Sequence, residues 1–320
     1  MRILSGIQPS GNLHLGNYFG MMKRMIAYQS KHDLFCFIVN YHALTSQRDG
    51  KKLRHQTIEA AMDFIALGLD PELCTFWIQS EVPEVTELAW ILSNITGMGL
   101  LERCHSYKDK IANGITPNHG LFAYPVLMAA DILIMQAELI PVGQDQKQHL
   151  EVTVDIAEKF NHVYAESFVI PKPEIQEGLA LLPGIDGRKM AKSYNNTIEI
   201  FCDASTLKKR VMSIKTDSTP IEEPKSVENN ALFDLYALFL DNKGKEALTQ
   251  RFLSSGLRYG DVKKELLELI WNYFEPYRKK RESLNESHDE VEKVLKRGAV
   301  KAREIASVTM HDIRKKVGLN

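Results

Sequence analysis

Along the first 180 residues, short apolar runs alternate with longer stretches whose apolar positions recur every three to four residues. Arg2–Ser5, Leu34–Val39, Thr75–Gln79 and Leu139–Val142 are flanked by turn residues and read as strands. Between them, Leu13–Gln29, Lys51–Leu67, Glu84–Ser93 and Leu121–Gln136 carry helical spacing. Leu34–Val39 is apolar throughout rather than alternately, which predicts a strand covered on both faces. Strands separated by helices predict an α/β fold: a Rossmann-like, doubly wound parallel sheet that holds ligands at the carboxyl ends of its strands. After about Tyr194 the strand signals stop. Ser205–Ile214, Ala231–Leu240, Lys245–Leu253, Val262–Arg281 and Glu286–Val317 all read as helices, and Thr216–Asn230, with Pro220 and Pro224, reads as a linker or loop. The expected organisation is an α/β domain over 1–190, a C-terminal all-α domain over 191–285 and a terminal helix over 286–320.

Composition narrows the class only a little. The chain has 320 residues, 44% apolar and 25% charged, enough to build one large core or two ordinary ones. Cys36, Cys74, Cys104 and Cys202 form no C-x-x-C pair and have no histidine at zinc-ligand spacing, so they read as buried reduced thiols. The N-terminus turns polar too soon for a signal peptide, and Leu121–Met135 is too short to span a bilayer, so a cytoplasmic protein with no membrane partner is expected. The net charge is −1, yet residues 200–320 carry more Lys and Arg than Asp and Glu. The clusters Lys208–Arg210, Arg278–Arg281 and Lys296–Arg297 read either as solvated helix faces or as contacts for a polyanion.

Candidate chemistry concentrates in four segments. Gly6–Gly11 follows the first strand and leads into a helix start, where an anion is favoured, although it is neither a Walker A loop nor a G-x-G-x-x-G fingerprint. One turn on, His14 could donate to a phosphate as an imidazolium, and Gly16 offers a bare surface for a base or ribose. Asp131 lies in the apolar run Tyr124–Leu133, where an unpartnered carboxylate is costly. It reads either as an internal salt bridge or helix cap, or as the acceptor of a ligand N–H, with Met128 one turn earlier. Val142–His149 groups polar side chains at a strand-to-helix junction, suited to a ribose, an ammonium or a carbonyl. Lys189 and Lys192 stand three apart in a loop set by Gly184, Asp186 and Gly187; they suit one phosphate chain or an ordinary wet loop.

His14-Leu15-Gly16-Asn17 and Lys189-Met190-Ala191-Lys192-Ser193 match the "HIGH" and "KMSKS" signatures, with Ala191 in place of a serine. Gly6–Gly11, Leu101-Glu102-Arg103 with Lys108 and Lys110, Met128–Leu133, Pro141–His149 and Lys215–Ser218 also follow the family pattern in order. On these residues the chain resembles the class I aminoacyl-tRNA synthetases in their bacterial tryptophanyl form, over nearly its full length. The resemblance implies a ligase that joins L-tryptophan to ATP as an adenylate and then charges tRNA(Trp). It also implies Mg²⁺ carried by the nucleotide with no metal ligand from the protein, a homodimer, an anticodon-binding helical domain and a terminal helix packed back on the catalytic domain.

By the same resemblance, Lys189, Lys192, His14 and Lys110 are catalytic. The ATP contacts would add Gln8, Pro9, Ser10, Gly16, Asn17, Gly143, Asp145, Gln146, Met190 and Ser193. Tryptophan would meet Asp131, with Gln8 and Gln146 on its polar groups and Leu4, His42, Tyr124, Met128 and Val142 around it. A tyrosine site needs polar groups for a phenolic O–H, whereas an indole N–H needs an acceptor, and Asp131 matches that acceptor. A small-molecule nucleotidyltransferase would share the fold without needing the helical half. A catalytically silent paralogue would not need His14, Lys189 and Lys192. The two signature segments are expected to stand as opposite walls of one adenylate site, the lysine loop being the wall that moves.

Overall fold

A computed structural model describes residues 1–9, 11–112, 114, 116–143, 146–175 and 182–320; of His105, Ser106, Asp109 and Lys110 it describes the backbone only. The chain forms two compact units: Met1–Gly11, Met25–Gln176 and Ser283–Asn320 make the first, Asn12–Arg24 and Glu177–Glu282 the second.

The first unit is built on a five-stranded parallel sheet in the order β3-β2-β1-β4-β5. Its strands are β1 (Arg2–Ile7), β2 (Asp33–Ile38), β3 (Cys74–Ile78), β4 (Leu139–Val142) and β5 (Lys172–Ile175). The register pairs Leu4 with Phe35, Cys36 with Phe76 and Ile140 with Pro173. Strand order reverses between β1 and β4, the switch point at which such sheets bind ligands. Leu34 to Ile38 of β2 are all buried, as the unbroken apolar run predicts. The strand β5 was not expected: Lys-Pro-Glu-Ile lacks an apolar pattern, and a proline in the ladder is tolerated because β5 lies at the sheet edge.

The principal helices are α1 (Gly50–Ala66), α2 (Glu84–Ser93), α3 (His119–Ile134), α4 (Lys147–Val163), α5 (Ala204–Met212), α6 (Ala231–Ala237), α7 (Asn242–Phe252), α8 (Tyr259–Asn285) and α9 (His288–Val317). Several begin at side chains that accept from otherwise unpaired first-turn N–H groups: Asp49, Asn118, Asp203, Asn230 and Asp241. The first unit's core joins Leu4, Phe35 and Trp77 of the sheet to apolar faces of α2, α3 and α4, and α9 adds Ala302, Ala306, Met310 and Ile313. On α9, Gly298 lies so close to the β3 backbone that a Cβ there would stand 1.8 Å from the Phe76 carbonyl oxygen. The helix thereby covers an edge strand whose backbone would otherwise be open to pairing. Arg303 of α9 donates to Glu84 at 2.8 Å, and Arg314 pairs with Glu87.

In the second unit, α5 to α7 and most of α8, all within Glu177–Glu282, are joined by one chain segment from elsewhere, Asn12–Arg24. The continuous helix expected over Leu13–Gln29 is instead a short helix (Leu15–Asn17), a π-turn (Tyr18–Met22) and a further helix (Lys23–Tyr28). The wider π-turn lets Tyr18 and Phe19 project together into aromatic partners, a use common near functional sites. Tyr18 packs edge-on to Phe274 at 5.1 Å, Phe19 to Phe239 at 5.0 Å, and the hydroxyls of Tyr18 and Tyr273 meet at 3.1 Å. The loop Thr216–Asn230 is closed on Lys225, which is buried and donates from Nζ to the carbonyls of Thr219 at 2.8 Å and Glu223 at 3.1 Å, and to that of Pro220. Among the described residues no helix is long and apolar enough to cross a membrane. Cys36, Cys74 and Cys104 are buried and Cys202 half-buried; burial pushes the Cys74 thiol up to about 12.

Candidate active site

In the first unit, the segments leaving β2 and β3 converge on α3. A short helix, Asn40–Ala43, carries His42; a 3₁₀ turn, Gln79–Glu81, opens with Gln79 directly after β3. Asp131 lies on α3 and is only 4% exposed. Its carboxylate accepts from His42 Nε2 at 2.8 Å and from Gln79 Nε2 at 2.9 Å (Oδ1) and 2.8 Å (Oδ2). The costly buried charge therefore has donors from two other elements, and the internal-partner reading of Asp131 is correct as far as it goes. Met128 is half-buried one turn earlier on α3. Tyr124, one turn earlier again, meets His149 Nε2 through its hydroxyl at 2.5 Å and packs edge-on to His42 at 6.2 Å. Leu4 and Val142 are buried at β1 and β4, and Pro9 is buried just beyond β1. Gln8, Gly143 and Gln146 are exposed at the ends of β1 and β4 that face the switch point. Ser10 and Asp145 lie outside the described residues. The backbone of Lys110 belongs to a helix, His105–Ala112, and its side chain is outside them too.

The second unit brings the two signature segments into direct contact. The backbone N–H of Gly16 points at Met190 Sδ, 3.3 Å away, and Met190 is buried. Leu15 N–H donates to the Ile198 carbonyl at 3.0 Å, and Ile200 N–H to that of Leu13 at 3.0 Å. Asn17 is half-buried and its Oδ1 accepts from the N–H of His14 at 3.1 Å, fixing the helix start. His14 is buried, and its Nδ1 has no hydrogen-bond partner among the described residues. Burial, and after it the charge of Lys192, brings the imidazole pKa down to about 4. The imidazolium expected from the sequence is thus corrected: at neutral pH His14 is a neutral ring.

Lys189, Lys192 and Ser193 are exposed, while the backbone that carries them is tightly wired. Met190 N–H donates to the Leu182 carbonyl at 2.8 Å and Gly184 N–H to that of Arg188 at 2.7 Å. At the centre sits Asn196, 1% exposed. Its Oδ1 accepts from Ala191 N–H at 2.8 Å, and its Nδ2 donates to Asp186 at 2.7 Å and to the Lys189 carbonyl at 3.0 Å. The Asn196 amide, and after it the Arg188 guanidinium, hold the Asp186 carboxyl down at about 2. Gly184 is needed here, because a Cβ at that position would come within 2.3 Å of the Asn196 amide. Ala191 offers no hydroxyl, yet its N–H is held by this buried amide. Sequence reasoning missed both Gln79 and Asn196. A polar residue closing an apolar strand at its carboxyl end was a usable signal for Gln79; nothing marked Asn196.

The parallel sheet, with its order reversing between β1 and β4, defines the class of the first unit: a Rossmann-type fold. Comparison with known proteins narrows it. The model of the class I tRNA synthetases (W and Y) matches residues 1–275, and the chain belongs to that family. A tryptophan–tRNA ligase of Campylobacter jejuni is 50% identical over 319 residues, covering 100% of both chains. That of Fusobacterium nucleatum is 53% identical, covering 99% of this chain and 98% of its own. The crystal structure of the Campylobacter jejuni tryptophanyl-tRNA synthetase complexed with ADP and tryptophan superposes with a TM-score of 0.94, at 50% identity over 99% of this chain and 100% of that one.

Proposed function

We propose that this synthetase is a tryptophan–tRNA ligase, which activates L-tryptophan with ATP and passes it to tRNA(Trp). The observation that carries this reading is Asp131: a buried carboxylate that already accepts from His42 and Gln79 has acceptor capacity left for one more donor, the indole N–H. Relatives of full length named for this activity support it, as does the relative solved with ADP and tryptophan. Met128, Tyr124, His42, Leu4 and Val142 surround the ring, and Gln8 and Gln146 take the amino acid's polar groups. His14 with Gly16 and Asn17, and Pro9, Ser10, Gly143 and Asp145, hold the nucleotide; Met190 and Ser193 do so from the lysine loop.

In the first step a carboxylate oxygen of tryptophan attacks the α-phosphorus and the bond to the β-phosphate breaks. This needs positioning and charge neutralisation, with no protein nucleophile. Lys189 and Lys192, assisted by Lys110, stabilise the negative charge that grows on the departing pyrophosphate, and Mg²⁺ enters with ATP as part of the substrate. A neutral His14 imidazole contributes a hydrogen bond rather than a charge. In the second step a hydroxyl of the terminal adenosine of the tRNA attacks the acyl carbon and AMP leaves. The helical region binds the anticodon, and the enzyme works in the cytoplasm as a homodimer, which the molecular mass in solution tests. The test of the activity itself is amino-acid-dependent ATP–pyrophosphate exchange: tryptophan supports it and tyrosine does not. Exchange with tyrosine alone would overturn the reading.

A further inference from the structure

We infer that Gln79 is a specificity-setting positioning residue, which holds Asp131 as an acceptor-only carboxylate so that the pocket demands an N–H donor. The inference rests on the reading of Asp131 as the indole acceptor. Gln79 is 1% exposed and its amide is engaged at both ends: Oε1 accepts from Tyr41 N–H at 2.9 Å while Nε2 reaches both Asp131 oxygens. A backbone N–H can only donate, so Tyr41 fixes the amide oxygen toward itself and leaves the NH₂ to face the carboxylate. The underlying backbone is fixed too. Asn40 Nδ2 donates to Ser80 Oγ at 2.8 Å and Ser80 N–H returns to Asn40 Oδ1 at 3.1 Å, tying the segments after β2 and β3 together.

Gln79 supplies donors without supplying charge. A lysine or arginine there would neutralise Asp131 as an ion pair, whereas an amide leaves the carboxylate its full negative charge for the ligand. A carboxylate offers about four lone-pair directions, and Gln79 with His42 takes up most of them, so a single further donor completes the set. A ligand lacking that donor leaves the buried charge one partner short, which is how a polar site rejects a near-isostere.

The experiment compares wild type, Gln79→Met, Gln79→Glu and Asp131→Asn in pyrophosphate exchange. The substrates are tryptophan and its benzothiophene analogue, in which sulfur replaces the indole N–H. Wild type should prefer tryptophan. Gln79→Met should lose about ten- to a hundredfold in kcat/KM for tryptophan, far less for the analogue, with KM for ATP unmoved. Gln79→Glu keeps the shape but can donate only when protonated, so its KM for tryptophan, taken relative to wild type, should rise with pH. A purely structural role creates no such profile, and recovery at low pH shows that the variant is folded. A wild-type preference in Gln79→Met, with a flat ratio in Gln79→Glu, overturns the inference alone if Asp131→Asn loses the preference. If wild type and Asp131→Asn both treat the two substrates alike, the Asp131 reading itself fails.

Discussion

The Asp131 pocket and the Lys189–Ser193 loop both carry charged side chains, and they are built in opposite ways. Asp131 is buried and is held by side chains from two other elements, His42 and Gln79. The two lysines are exposed, and what is fixed is the backbone beneath them, through Asn196. The difference follows from solvation. A charge taken out of water needs partners before any ligand arrives, so its selectivity is set by how many donors it already has. A lysine in water needs no partner, and its usefulness depends on where the backbone aims it. On the proposed function, selection sits where the chain is dry, and phosphate chemistry where it is wet.

The largest effect should separate the two regions cleanly. Lys192→Ala should slow pyrophosphate exchange by about a hundred- to a thousandfold while leaving KM for tryptophan nearly unchanged. A comparable loss in tryptophan affinity would break the division of labour. Asn196→Ala should come next, lowering kcat by about tenfold with the same unmoved KM, because two backbone contacts of the loop go with the amide. Asn196→Asp should be worse than Asn196→Ala, since a carboxylate would then face Asp186 and the Lys189 carbonyl.

A change outside both regions bounds what plain destabilisation does. Gly298→Ala forces α9 off the β3 backbone and should cost about 1–3 kcal/mol, seen as a drop of several degrees in Tm, with the selectivity for tryptophan unchanged. The smallest effect concerns His14. Its folded pKa of about 4 lies below the usual value of 6.5, so between these pH values the unfolded chain binds a proton that the folded one does not. Stability should therefore fall as pH drops from about 6.5 to about 4 and level off below. Because the neighbouring Lys192 charge is exposed and screened, His14 should account for only about 1–2 kcal/mol of that fall. His14→Gln should flatten the corresponding part of a Tm-against-pH curve.

Four of the five strands and eight of the nine principal helices were legible in the pattern of apolar residues, within a few residues at their ends, while α4 was foreseen only as a helix following the Val142–His149 junction, without bounds. The strand β5 was not, because an edge strand starting Lys-Pro carries no burial signal of its own. Nor was the π-turn at Tyr18, whose cause is aromatic packing against residues some 250 positions along the chain. At the site, Asp131 stood out because a carboxylate in an apolar helix demands a partner. Gln79 lies 52 residues from it, and only the parallel sheet brings them together. The sequence set an internal partner for Asp131 against a ligand contact as alternatives, whereas under the inference drawn above the internal partners are what would make the ligand contact selective.

Tryptophan-dependent ATP–pyrophosphate exchange, measured for wild type and Asp131→Ala at matched folded concentration, tests the central claim most directly. Wild type should exchange with tryptophan and not with tyrosine, and Asp131→Ala should lose the tryptophan reaction while keeping its fold. Tryptophan activation at the wild-type rate by Asp131→Ala would contradict it.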